Sequence, residues 1–491
     1  MIEKKKTILK HLLTYMPGRY FSQFVGFFIA LFMKRFLGPF YAGVWALLRV
    51  IERYIRYLEL GTPVSVFYKL PFFIGQGKKE EADEVKNVVF SFLMVVTFIA
   101  SLGVASYALC FSKHLSHEMF WGLLAVSVIL ICERVYNFYI LLLRTNKDYN
   151  ILSKSLCFDA IINLLLVLFV VSRFKLYGLF VVVIILPILN VLFIRHYVKY
   201  NIRWVFNWRK AFTYVKFGLP MYLSSILSML LNSVDRIMVV SMLGFQQLGF
   251  YSIAVMAKSY SAQLSTNFSH VTSPHFIEDF GKGDKKRLPL YVVDGSFSVS
   301  CFMAIILGVI FIFSLPIIRL VLPAFEPGLT ALRIFLLTSF FMSLASFPQD
   351  YIVTRDKQII LLPFMFIALA INVALNYYFI KSGFGINGAA TATAISSGFY
   401  LLSIFSYGMR YFANVKGILQ YIFKIFLPLI YLLIVVLLLE NFITYPGIWL
   451  NSFIKSGLFL IASIVVVLLL EKETGLVRIL IGLLKEKFSR S

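Results

Sequence analysis

Charged residues are scarce in this chain. Only 14% of its 491 residues are Asp, Glu, Lys or Arg, and 60% are hydrophobic, whereas a soluble domain carries about 25% charged residues. Apolar runs of about 20 residues recur from end to end, which is the pattern of membrane-spanning helices. The composition excludes a soluble protein and predicts an all-α polytopic membrane protein with about 14 transmembrane helices.

Cysteine is sparse as well, and its placement argues against two kinds of site. Cys110, Cys132, Cys157 and Cys301 lie within apolar runs and form no C-x-x-C pair, so we expect buried thiols rather than disulfides or metal ligands. The sequence shows no nucleophile–base constellation, Gly-rich phosphate loop or metal-ligand cluster. It therefore predicts no metal, no cofactor and no enzymatic activity.

Acidic residues are outnumbered by basic ones, 23 against 47, for a net charge of +24. The basic residues form no soluble face, so we expect no nucleic-acid partner. Most of them fall on alternate connections between predicted helices, and the positive-inside rule then places both termini in the cytoplasm. The tail over 471–491 is basic and amphipathic, and we expect it on the cytoplasmic membrane surface.

Two short patterns recur at a constant spacing. L-G-x4-G occurs at 37–43 and again at 243–249, which is 206 positions later, and "GQGKK" at 75–79 is matched by "GKGDK" at 281–285 at the same spacing. Several matches at one spacing indicate an internal repeat. The glycines of the first pattern are predicted to allow a tight turn between two helices.

The repeat predicts the domain organisation. Six helices per copy make both copies begin on the same side of the membrane, as parallel repeats with a binding cavity between them. We expect an N-lobe over 1–205 with helices 1–6, a C-lobe over 206–415 with helices 7–12, and an extra helix pair over 416–470.

The segment "FGLPMYLSSILSMLLNSVDRIMVVSMLGFQQLGFYSIA" at 217–254 resembles the Wzx-type polysaccharide flippases. Their superfamily, called MOP, also holds the MATE exporters and the lipid II flippase MurJ. Supporting stretches are "KRFLGPFYAGVWALL" at 34–48 and "GFGINGAATATAIS" at 383–396, and the resemblance covers about 1–415. It implies a flippase of the bacterial cytoplasmic (inner) membrane that carries undecaprenyl-diphosphate-linked oligosaccharide repeat units to the outer leaflet by alternating access. The product would be O-antigen, capsule or exopolysaccharide.

The resemblance also implies partners and leaves alternatives. Expected partners are the polyprenyl-diphosphate-linked glycan, the lipid bilayer, H+ or Na+ as coupling ion, and polysaccharide polymerase or assembly proteins. The alternatives are a MurJ-like lipid II flippase and a MATE-type cation or drug antiporter, although organic cations favour acidic sites and the charges within the spans are mainly basic. A membrane glycan polymerase or glycosyltransferase is least favoured, because the predicted extracytoplasmic connections are short and nearly uncharged.

Charged residues inside the predicted spans form the candidate site. A charged side chain is costly in lipid, so these residues must face protein or a water-filled cavity. Arg49, Glu52, Arg53, Arg56 and Glu59 recur at spacings of three and four, so they share one stripe of a helix. One interpretation is a structural set of ion pairs, including Glu52–Arg56 and Glu59–Arg56. The other is a hydrated cavity whose surplus of arginines holds a diphosphate. The arginine excess favours the second.

Further candidates lie on other predicted helices. Adjacent residues on a helix point about 100° apart, so of Glu133 and Arg134 one is expected to face the cavity and the other a neighbouring helix. The spacing of 206 pairs Glu52 with Lys258, which places Lys258 at the cleft. Arg19 is expected near the cytoplasmic mouth, where interfacial snorkelling explains it equally well.

The stretch "LLNSVDRIMVV" adds three polar side chains to an apolar run. We expect Asp235 to pack against helices of its own lobe and Arg236 to face the cleft opposite Arg49, where it would bind a phosphate. Asn232 lies one turn earlier and could hydrogen-bond to either.

Two lone acids are candidates for a coupling-ion site. Asp159 and Asp294 lie near the predicted cytoplasmic ends of their helices. The alternative for both is pairing with a neighbouring lysine or arginine.

Overall fold

The computed structural model describes residues 2–262, 287–355, 357–410 and 412–474. Helices and short turns make up these ranges, and no strand occurs within them. The α-helices are α1 Ile2–Arg56, α2 Thr62–Gly75, α3 Lys79–Cys110, α4 His117–Thr145, α5 Tyr149–Leu166, α6 Ser172–Tyr197, α7 Trp208–Leu231, α8 Val234–Leu243, α9 over 245–262, α10 Arg287–Val321, α11 Leu329–Leu344, α12 Ser346–Thr354, α13 Leu361–Phe379, α14 Gly385–Met409, α15 Val415–Phe442 and α16 Ile448–Thr474. The second copy of the "GQGKK" pattern and most of the predicted tail lie outside the described residues.

Ten segments of the described chain are long and apolar enough to cross a membrane. Three of them have 45, 49 and 52 residues, about twice the length that one crossing requires. Each of these three contains a residue with non-helical backbone angles, namely Gly38, Lys175 and Gly383. The prediction of an all-α polytopic membrane protein is confirmed.

Gly38 and Gly244 break the chain in the same backbone conformation. Their angles are φ 69°, ψ 174° and φ 87°, ψ 177°, a region that strongly favours glycine because a Cβ atom would clash there. The two residues are 206 positions apart, so their agreement supports the predicted repeat. The division into lobes over 1–205 and 206–415 stays a prediction.

Gly43 and Gly249 lie where two backbones touch. A Cβ atom on Gly43 would lie 1.8 Å from the carbonyl oxygen of Phe245, and one on Gly249 would lie 1.8 Å from that of Pro39. The two contacts are related by the same spacing of 206. The glycines of each pattern therefore have separate tasks: the first makes the break, and the second permits close packing of the helix that follows.

The described residues form two compact units. The first extends up to Val240 and includes Gly244–Gly249, and the second comprises Ser241–Leu243 and the residues from Phe250 onward. In the first unit α1 packs against α4, α5 and α6, while α7 packs against α2 and α3. In the second unit α14 packs against α11 and α13, and the extra pair α15 and α16 packs against α10.

Candidate functional site

Helices α1 and α4 bring four charged side chains into one network. Nη1 of Arg49 lies 2.6 Å from Oε2 of Glu52 and 2.9 Å from Oε1 of Glu133, and Arg56 forms ion pairs with the same two acids. The predicted pair of Glu52 and Arg56 is present. Glu52 is only 1% exposed, and such a buried carboxylate needs the cations on both sides of it.

A second ion pair joins α4 to the end of the charged stripe. Arg134 is buried, pairs with Glu59, and donates from Nε to Oγ1 of Thr97 on α3 at 2.9 Å. The predicted ion pair of Glu59 with Arg56 is wrong, because α1 ends at Arg56 and the 3-10 turn that follows directs Glu59 toward α4. Of the two adjacent residues on α4, Arg134 contacts neighbouring helices and Glu133 faces the cavity described below.

The apolar run that contains Asp235 is broken at its polar residues. Helix α7 ends at Leu231, where Nδ2 of Asn232 donates to the carbonyl oxygen of Ser228 at 2.7 Å and Oγ of Ser233 donates to that of Met229 at 2.6 Å. Such local bonds compete with helical geometry. Asp235 is buried in the first turn of α8, where the helix dipole favours an acid, and its Oδ1 accepts from the backbone N–H of Arg236 at 2.8 Å.

Arg53, Arg236 and Lys34 form a basic group in the first unit. Arg236 lies near enough to Arg53 and to Lys34 for its positive charge to repel theirs. No hydrogen bond or ion pair joins the guanidinium of Arg53 or Arg236 to any residue that the structure describes, and Nε of Arg236 is buried. Like charges gathered in a membrane interior cost free energy, which a bound anion would offset.

A cavity of about 480 Å³ lies beside this network, enclosed by α1, α4, α5 and α6. Arg49, Arg56 and Glu133 form part of its wall, together with Asp159 on α5. Oδ1 of Asp159 accepts a hydrogen bond from Nδ2 of Asn190 at 2.5 Å. The structure thus brings one of the two predicted lone acids together with the charged residues of α1 and α4.

Other predicted site residues lie elsewhere. Asp294 belongs to the second unit and is 3.9 Å from Nζ of Lys424, so a lysine partner accounts for it. Lys258 also belongs to the second unit, with Nζ 5.7 Å from the ring centroid of Phe335. Arg19 contacts an aromatic ring one turn earlier on α1.

Some side chains of this site carried no clear signal in the sequence. Lys34 lies one turn before the break at Gly38 and is only 7% exposed. Asn163 and Asn190 line the cavity but carry no charge. A side-chain amide inside a membrane span costs free energy unless it has a hydrogen-bond partner. An asparagine within a predicted span therefore indicates a partner or a cavity, and this signal could have predicted Asn163 and Asn190.

Comparison with known proteins identifies the family. A family model described as polysaccharide biosynthesis protein matches residues 70–324, which is more than half of the chain. The chain belongs to this family. No curated protein matches the chain.

Solved structures of transporters share the fold of this polysaccharide biosynthesis protein. A structure of the lipid II flippase MurJ in an inward closed conformation has a TM-score of 0.70 at 16% identity, covering 94% of this chain and 99% of its own. An inward-facing multidrug resistance MATE transporter of the MOP superfamily has a TM-score of 0.64 at 15% identity, covering 81% and 96%. A MOP superfamily transporter from Pyrococcus furiosus has a TM-score of 0.53 at 16% identity, covering 84% and 96%. The predicted resemblance to these transporters is confirmed at the level of the fold, and the protein is a multi-pass membrane protein.

Proposed function

We propose that this protein is a flippase that moves undecaprenyl-diphosphate-linked oligosaccharide repeat units from the cytoplasmic to the outer leaflet of the bacterial inner membrane by alternating access. The observation that carries the proposal is the pair of neighbouring arginines, Arg53 and Arg236, whose guanidinium groups lack a partner among the described residues. Guanidinium groups bind phosphate oxygens in a bidentate manner. An anionic group with several oxygens is therefore the ligand that suits them.

The charge of the surrounding cluster supports a diphosphate. Six basic side chains stand against four acidic ones, which leaves a formal excess of two positive charges. The basic members are Lys34, Arg49, Arg53, Arg56, Arg134 and Arg236, and the acidic ones are Glu52, Glu59, Glu133 and Asp235. A diphosphate diester carries about one negative charge on each phosphorus, as a nucleic-acid phosphodiester does. The excess of basic side chains therefore favours an anionic ligand such as a diphosphate.

A lipid II flippase is the second candidate, favoured by the similarity to the MurJ fold. Both substrates present a polyprenyl diphosphate, so the basic cluster suits either of them. The family description favours polysaccharide repeat units. A cation antiporter is less suited, because Glu52, Glu59 and Glu133 are each paired with arginine.

We also propose Asp159 as the site of the coupling ion, H+ or Na+. Its Oδ1 accepts a hydrogen bond from the neutral amide of Asn190, whereas Asp294 lies beside Lys424. A carboxylate without an adjacent cation is better able to exchange a proton or a sodium ion.

A deletion strain tests the proposed function. Cells without the gene are expected to lose surface polysaccharide and to accumulate the lipid-linked repeat unit, because the unit is made but not exported. The wild-type gene should restore the polymer, whereas Arg53→Ala should restore about a tenth of it or less. Surface sugar analysis and lipid extraction measure both quantities.

Three other outcomes would speak against the proposal. Normal polymer in the deletion strain contradicts it directly. Raised drug susceptibility with normal polymer would indicate a MATE-type exporter, and loss of viability would indicate lipid II transport.

A further inference from the structure

The cavity beside the charged network is balanced in charge. Its ionisable wall consists of Arg49, Arg56, Glu133 and Asp159, two bases against two acids. Its volume of about 480 Å³ lies within the range of small-molecule sites. Because the wall has no formal net charge, the cavity can hold a neutral ligand beside Asp159.

Three asparagines supply unused hydrogen-bonding capacity to the same cavity. Asn137 on α4, which is exposed, and Asn163 on α5, which is half-buried, line the cavity, and neither side-chain amide bonds to a described residue. Asn190 on α6 is 1% exposed; its Nδ2 donates to Asp159, while its Oδ1 is buried and accepts nothing from the described residues. A side-chain amide offers two donors and an acceptor oxygen, and the buried Oδ1 of Asn190 is costly to leave without a donor. These amides can therefore hydrogen-bond to a ligand with several hydroxyl or amide groups.

The remaining wall is apolar. Met33 and Trp45 on α1 and Leu179 and Val183 on α6 line it. The guanidinium carbon of Arg49 lies 5.6 Å from the ring centroid of Trp45, which restricts where that ring can lie. A pyranose has the matching character, because hydroxyl groups surround its rim while C–H groups cover its faces.

We infer that this cavity binds one neutral sugar residue, a hexose or an N-acetylhexosamine, through Asn137, Asn163 and Asn190. The inference rests on the proposed function for the origin of the sugar, which is the glycan of the lipid-linked substrate. Arg49 and Arg56 belong both to the cavity wall and to the charged cluster. The sugar bound here is therefore the one that is attached to the diphosphate.

Saturation-transfer NMR on the full-length protein tests this site. The protein is placed in lipid nanodiscs, since maltoside detergents are themselves sugars, and is titrated with glucose, galactose, N-acetylglucosamine and N-acetylgalactosamine. At least one of these is expected to bind, and Asn163→Ala should weaken it about three- to tenfold, the effect of one lost hydrogen bond. Asn137→Ala with Asn163→Ala should abolish detectable binding. Asn201→Ala, which removes an exposed amide outside the cavity, should bind as the wild type does.

The outcomes separate this inference from the proposed function. If no monosaccharide binds, or if Asn163→Ala binds as tightly as the wild type, the sugar site is refuted even when lipid-linked glycan is flipped normally. Binding of the lipophilic cation ethidium that no sugar displaces would refute it as well. If a sugar binds in an Asn163-dependent manner but no lipid-linked glycan is flipped, the site stands and the proposed function fails.

Discussion

Arg236→Ala is expected to slow flipping of the lipid-linked repeat unit about 10- to 100-fold while leaving the protein folded. A hydrogen bond to a charged group contributes about 1.5–3 kcal/mol, and that contribution is lost when the guanidinium no longer holds a phosphate. Folding should be unaffected, because the side chain makes no hydrogen bond or ion pair with the described residues and is repelled by Arg53. Surface polysaccharide per folded molecule measures the effect.

Two further variants serve as controls for Arg236. Arg236→Lys keeps the charge but not the bidentate geometry, so partial function is expected. Arg173→Ala removes an exposed arginine from the first turn of α6 and should behave as the wild type. Normal polymer with Arg236→Ala would show that this arginine is not part of the phosphate site.

Arg134→Leu is expected to cause the largest loss of stability, about 3–5 kcal/mol. The substitution leaves the Glu59 carboxylate without its cation and Thr97 without its donor, and removing one partner of a buried ion pair carries a penalty of this size. The yield of monodisperse protein and its thermal unfolding in detergent measure the loss. Arg144→Leu, an exposed position on the same helix, is the matched control and should unfold as the wild type does.

A double substitution distinguishes a structural from a substrate-binding role of Arg134. Arg134→Leu combined with Glu59→Leu replaces the pair with apolar side chains, which is often close to neutral, so most of the folded protein should return. Transport should return with it if Arg134 only supports the site. A double variant that folds normally but does not transport would show that Arg134 contacts the substrate.

The helical fold can be predicted from the sequence because its determinants are short segments of the chain. These are the apolar runs, the basic residues that connect them, and the glycines at which helices break. Apolar runs are long enough to span the membrane, and Gly38 and Gly244 mark equivalent breaks by their spacing alone. The break at Asn232 was not predicted, because hydropathy does not register a side chain that bonds to its own helix.

The ion pairs within the site are harder to predict from the sequence, because they join residues on helices that are distant in the chain. The stripe on α1 was recognised by its periodicity, but Glu59 turns to Arg134 only because a 3-10 turn follows α1. The burial of Lys34 does not follow from the sequence, because one helical turn decides between a connection and a buried position. The positions of Asn163 and Asn190 in the cavity do not follow from the sequence, because an uncharged amide hardly changes the hydropathy of its span.

Flipping by the purified protein in liposomes tests the central claim most directly. A fluorescent undecaprenyl-diphosphate-linked oligosaccharide is placed in both leaflets, and a reductant that does not cross the membrane is added outside. Wild-type protein should expose the inner pool far faster than protein-free liposomes do, while Arg53→Ala and Arg236→Ala should approach the protein-free rate. Wild-type liposomes that lose fluorescence no faster than protein-free ones, or variants as fast as the wild type, would contradict the account.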